Sequence, residues 1–265
     1  MFNLFRKTMY DKRIFIIGWS LGLIILALLM ILFFPAFKNF GFDQLLAGLP
    51  PELKSIKGLI GNLDSLKTIS GYLGGQFFDI RMPMFISVFS IILAVGLSIK
   101  DEEDGYLRIL LALPMSRIKL LFGKLFAIVT ICLIATIATI AGLWIGIALI
   151  GETFDWIVIF NLSFMMFLLS VCMTTLFYCI GLASGKRGLT MGLGIIVAAG
   201  SFLLTTFAKS VDWLQPYEKI SLFHYFPPAE IIQNGISLSD VVVLSGITII
   251  SIIFAIIFFR RRDVR

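Results

Sequence analysis

The hydrophobic positions of this chain fall in long unbroken runs. Six stretches, roughly 14–36, 80–99, 122–149, 157–183, 189–208 and 239–259, are almost wholly apolar, and their central parts hold no Asp, Glu, Lys, Arg or His. The hydrocarbon core of a bilayer is about 30 Å thick and a helix rises about 1.5 Å per residue, so roughly 20 apolar residues are needed to cross it. Each run therefore predicts a membrane-spanning helix. Barrel strands would be about half as long and would alternate with a period of two, which these runs do not. The pattern predicts an all-α polytopic membrane protein, a single transmembrane domain over residues 1–265. The first run is longer than the apolar region of a signal peptide and no small-residue cleavage site follows it, so a retained helix is expected.

Composition agrees with this reading. Of 265 residues, 59% are hydrophobic and 14% charged, against about 45–50% and about 25% in soluble domains. The mean hydropathy of +1.01 excludes both a water-soluble globule and a disordered chain. With one His and three Cys, a disulfide scaffold is excluded and few soft metal ligands remain. No metal site is expected.

Charge sets the orientation, because cytoplasmic loops are enriched in Lys and Arg. One side of the predicted topology collects 15 basic residues, among them Arg6, Lys7, Lys12, Arg13, Lys119, Lys186, Arg187 and Arg260, and the other side holds 7. Both termini are thus expected on the cytoplasmic side. The basic residues are split among four short segments, so the net charge of +6 points to topology and anionic lipid, not to nucleic acid. Trp144, Trp156 and Trp213 fall near the predicted outer span ends, as an interfacial belt would, whereas Trp19 reads as a packing residue.

Shorter segments add detail. Residues 1–13 place Phe2, Phe5 and Met9 on one helical face, which predicts an interfacial helix leading into the first span. The outer segments 37–79 and 209–238 carry short apolar stretches broken by Pro and Gly, and surface-lying or re-entrant helices are expected there. His224 and the span cysteines Cys132, Cys172 and Cys179 read as structural. Gly18/Gly22, Gly142/Gly146 and Gly188/Gly192 allow close helix approach, either within the chain or between subunits.

The connection between the second and third spans, KDEEDGYLRILLALPMSRIKLLFGK over 100–124, is different in kind. Four acidic residues, Asp101 to Asp104, precede Gly105. A helix over 106–113 follows, rich in leucine, too short to span, and stopped by Pro114. Ser116 can cap the next helix, whose first turns carry Arg117, Lys119 and Lys124. An apolar helix at a cytoplasmic position must bury its face against its own bundle or a partner.

This string resembles the hallmark of ABC type-2 exporter permeases, in which an acidic stretch precedes Gly-Thr-Leu, a leucine-rich turn, Pro, a small residue plus Arg, and a Gly-Lys pair. The matching residues are Asp101, Glu103, Gly105, Leu107, Leu110, Leu111, Pro114, Ser116, Arg117, Gly123 and Lys124, while Tyr106 stands where Thr is usual. The basic N-terminus, the six spans, the Leu49–Leu53 element and the Arg-Arg-Arg-Asp ending extend the likeness along most of the chain. The resemblance implies a permease subunit of an ATP-driven exporter. It implies two copies of a separate ABC ATPase that bind ATP and Mg, a second permease subunit that is either identical to this chain or similar to it, and a multi-pass place in a prokaryotic cell membrane. It also implies that helix 106–113 is the coupling helix, docked in the ATPase, and that residues 1–13 form the elbow helix. Spans two and five would face the pathway, whose wall would then include Met82, Phe85, Phe89, Ser201 and Thr205, together with Met84, Ser87, Ser90, Thr190 and Thr206. That mixture suits a lipophilic or amphipathic cargo: a drug, a peptide antibiotic or a lipid.

No G-x-x-x-x-G-K-[ST] loop is present, since the string Gly181 to Arg187 has the wrong spacing and Arg where Ser or Thr is required. ATP hydrolysis is expected on another chain and no cofactor on this one. An ion-coupled carrier would place ionisable groups inside the membrane, and the spans hold none at their centres. A membrane enzyme would need a constellation that one His and three Cys do not supply. The alternatives that stay open are a non-transporting immunity or regulatory protein and a passive pore.

Overall fold

The computed structural model describes residues 2–38, 68–99, 117–152, 154–208 and 211–261. Helix α1 (Phe2–Asp11) leads through Lys12 into α2 (Arg13–Lys38). Helix α3 (Ile69–Ser98) follows, then α4 (Arg117–Ile150), α5 (Trp156–Ser184) and α6 (Arg187–Ala208). Two 3₁₀ segments (Asp212–Ile220 and Phe223–Tyr225) and the short α7 (Pro228–Asn234) precede α8 (Leu238–Arg261). Six of these helices, α2 to α6 and α8, are long and apolar enough to cross a membrane. The six predicted spans are all present, with ends within a few residues of expectation except at the start of the second.

Helices α3, α4 and α5 form the middle of the bundle. In their most apolar windows 61, 56 and 61% of residues are buried, against 22, 22 and 17% for α2, α6 and α8. The outer three helices therefore leave most of their apolar surface for lipid. Close approach of α2 to α4 depends on small residues. A Cβ on Gly142 would lie 2.6 Å from the Ile24 carbonyl oxygen, and one on Gly146 would lie 2.7 Å from Ile31 Cβ. This pair of glycines serves packing within the chain, while Gly18, Gly22, Gly188 and Gly192 have no heavy atom within reach of an added Cβ.

Hydroxyls tie the middle of the bundle together. Thr174 Oγ1 on α5 donates to Ser90 Oγ on α3 at 3.0 Å, Cys132 Sγ on α4 lies 3.8 Å from Thr174 Oγ1, and all three residues are fully buried. Such interhelical bonds contribute roughly 0.6 kcal/mol each in a membrane. Trp19 packs edge-on against Phe89, with ring centroids 5.4 Å apart, as a packing residue should. The turn from α5 to α6 is tight because Gly185 takes a left-handed conformation (φ 59°) and donates its N–H to Gly181 O at 2.9 Å, closing α5 as a glycine C-cap does.

Of the two longer connecting regions, one differs from expectation and one agrees with it. The second span begins at Ile69, not near 80, so residues 69–78 continue the helix instead of lying on the surface. Over Leu73–Arg81 it widens to π-helical turns, and Tyr72, Leu73, Phe77 and Phe78 are buried in the core. Their apolar contacts outweigh the poorer geometry of π turns. The earlier part of that outer segment, 39–67, lies outside the described residues. The segment after α6 folds back on the bundle, as a re-entrant reading anticipates. Leu222, Phe223, Phe226 and Ile231 are buried there, Phe226 meets Phe78 at a centroid distance of 6.4 Å, and Ile232 packs over Gly74. His224 Nδ1 pairs with Glu218 Oε1 at 3.2 Å on the same segment, a local structural contact.

Candidate functional site

Two places on the bundle carry functional interest. The first is a groove between α3 and α6, with Phe223 of the re-entrant segment over its end. On α3 its wall is Met84, Ser87, Val88 and Ile91. On α6 it is Ile195, Ala198, Ala199, Phe202 and Leu203. The spacing on each helix is one face of a 3.6-residue repeat. The cavity measures about 380 Å³ and is almost entirely apolar. Cavities of roughly 300–1,000 Å³ accept drug-sized molecules. Gly194 lets α6 approach α3 beside the groove, since a Cβ there would lie 2.9 Å from Ile91 Cγ1.

A second, more polar cavity of about 230 Å³ continues this groove, sharing Phe202 and Phe223 with it. Its remaining wall is Asp79, Ile80, Pro83, Thr205, Thr206 and Phe226. Thr205 Oγ1 is 2.6 Å from Ser221 Oγ, which itself donates to Ser201 O at 2.8 Å. Ser201 also accepts the Leu222 N–H at 3.3 Å. These bonds fix the re-entrant segment on α6. The groove is thus apolar along its length and polar at one end.

The expected wall residues divide between two faces of α3. Thr205, Thr206, Met84 and Ser87 line the cavities between α3 and α6. Met82 and Phe89 are buried on the other side, where they and Phe85 surround a small space with Trp19, Leu23, Cys132 and Met166. Ser201 holds the re-entrant segment instead of standing open to the groove. Val88, Ile91, Ile195, Ala198 and Phe202 are wall residues that residue type did not single out. The repeat of Met84, Ser87/Val88 and Ile91 was the available signal, but periodicity does not say which of two helix faces meets α6.

The second place is the end of α3 around Gly96 and Leu97, which precedes in sequence the segment containing the expected coupling helix. Asp101, Glu103, Gly105, Tyr106, Leu107, Leu110, Leu111, Pro114 and Ser116 lie outside the described residues. Arg117 is the first residue of α4. Lys124 is only 2% exposed and its ammonium donates to the carbonyl of Leu97 at 2.6 Å. It is held in the interior of the bundle. Lys12, at the bend between α1 and α2, donates to the neighbouring carbonyl of Gly96 at 2.7 Å. Helix α1 lies against α4 here: Leu4 packs over Gly123, and the rings of Phe5 and Phe126 meet edge-on at 5.0 Å.

Six membrane helices with this packing define a multi-pass helical membrane protein. A family model described as ABC-2 family transporter protein matches residues 3–264. The chain belongs to that family and is a permease subunit of an ABC transporter, the membrane part that associates with an ABC ATPase partner. No match appears among curated proteins.

Proposed function

We propose that the chain carries a lipophilic or amphipathic cargo out of a prokaryotic cell, driven by ATP hydrolysis on two copies of a separate ATPase, which bind ATP and Mg. The observation that carries this reading is the α3–α6 groove: about 380 Å³ of apolar wall continued by a cavity bearing Asp79, Thr205 and Thr206. An apolar body with a polar end fits such a lining, and a bare ion does not, because along the apolar length it would lose hydration without gaining ligands.

In this reading both termini are cytoplasmic and a second, identical chain faces the groove. The helix over 106–113 seats in the ATPase, with Glu103 and Arg117 flanking it. ATP-driven closure of the ATPase moves the docked helix, and the bundle passes the displacement outward.

The experiment is transport in inverted membrane vesicles holding the chain and its ABC ATPase partner. A panel of fluorescent amphipathic dyes supplies the cargo. ATP-dependent uptake that falls several-fold in Ala198→Trp, which fills the groove, supports the reading. Uptake that is absent, or unaffected by filling the groove, contradicts it.

A further inference from the structure

A helix leaves its last four carbonyls without intrahelical partners. At the inner end of α3, the Val95 carbonyl accepts the Ile99 N–H at 3.1 Å. The next two carbonyls, of Gly96 and Leu97, accept lysine ammonium groups from two other elements: Lys12 at 2.7 Å and Lys124 at 2.6 Å. A cation there is favoured twice, by the hydrogen bond and by the negative end of the helix dipole. Ionisable groups within membrane helices are expensive and mark function more often than packing, and Lys124 is almost fully buried.

The local sequence is shaped around the two lysines. Gly96 leaves the space that Lys12 fills, because a Cβ there would run into the Lys12 ammonium and come within 3.5 Å of its Cε. Gly123, beside Lys124, leaves space for Leu4 of α1 in the same way. Lys12 sits where the interfacial helix bends into α2. Three elements thus meet at one point: the end of α3, the start of α4, and the α1–α2 bend. The first two are the two ends of the connection over 100–116.

We infer that Lys12 and Lys124 are positioning residues that grip the carbonyl end of α3, so that both ends of the ATPase-facing connection and the N-terminal helix move as one body. This rests on the reading that the ATPase engages that connection. Without the grip, the end of α3 would yield locally and the stroke would not reach the outer half of the bundle.

The test uses the permease–ATPase complex in nanodiscs. The reporter is Trp213→Cys, on an exposed site of the outer 3₁₀ segment, and its labelling rate by a water-soluble maleimide is measured before and after vanadate trapping. The native cysteines are replaced by Ala. In the reporter protein the rate changes on trapping. In Lys12→Met with Lys124→Met, the ATPase still co-purifies and turns over, but the change is lost. Lys12→Arg with Lys124→Arg keeps the charge and restores part of it. Gly96→Ala displaces Lys12 without removing its charge. It reduces the change, and it decides the matter should the double Met variant fail to insert. A trapping response in the Met or Gly96→Ala variants equal to that of the reporter protein overturns the inference, as does a reporter protein that does not respond at all. Failure of any ATPase to co-purify with the unsubstituted chain overturns the underlying reading instead.

Discussion

At the scale of single residues, glycines and threonines act through what surrounds them. A methyl group on Gly142 would press on the Ile24 backbone carbonyl, which cannot move aside. One on Gly123 would press on the far end of the Leu4 side chain, which can. Gly142→Ala should therefore destabilise the detergent-solubilised protein by about 1–3 kcal/mol, as overpacking does, and Gly123→Ala by clearly less. Thermal unfolding followed by tryptophan fluorescence separates them, and equal midpoints would contradict the packing described. Thr174→Val removes the donor to Ser90 and should cost about 1 kcal/mol, with Thr174→Ser restoring it. These roles were only partly legible. The spacing of Gly142 and Gly146 announced close helix approach, but not that α2 is what approaches. Lys124 read as the lysine of the hallmark's Gly-Lys pair, a docking residue near a cytoplasmic span end. Its burial follows from a carbonyl on another helix, which no local pattern encodes.

At the scale of elements, the bilayer wrote the spans into the sequence. Every helix that crosses hydrocarbon must satisfy its backbone internally and present apolar side chains, so six continuous runs sufficed to find six helices. The interfacial helix was legible for the same reason, from Phe5 and Met9 on one face. The start of α3 was not. Residues 69–78 hold two adjacent glycines and Gln76, and they look like surface chain until their aromatic residues are seen packed against the re-entrant segment. The π-helical turns over Leu73–Arg81 depend on that packing, with Arg81 turned back to hydrogen-bond Gln76. Topology gives the element-scale prediction. Lys186→Cys in the α5–α6 turn and Lys219→Cys in the outer 3₁₀ segment should label from opposite sides of sealed cells. Lys219→Cys should react in intact cells and Lys186→Cys only after permeabilisation. Labelling of both from one side would overturn the orientation.

At the scale of the whole molecule, the described residues form a tight core of α3, α4 and α5, with three helices mostly facing outward. The groove of this permease lies on a lateral face of the bundle, between α3 and α6. The resemblance carried by residues 100–124 led to the family that the chain belongs to. The groove was less legible, because helix-face assignment is a property of the assembled bundle. Met82 and Phe89 have the same residue types as the groove wall but sit on the other face of α3.

An ATPase docked on the connection between α3 and α4 is what should drive this chain, and co-purification tests it. The tagged chain is expressed with candidate ABC ATPase subunits from the same organism and purified in mild detergent, with and without Leu110→Arg. An active ATPase should co-elute with the unsubstituted chain and be lost from the variant, which still inserts and folds. An ATPase that never binds, or that binds the variant equally well, would contradict docking at that connection.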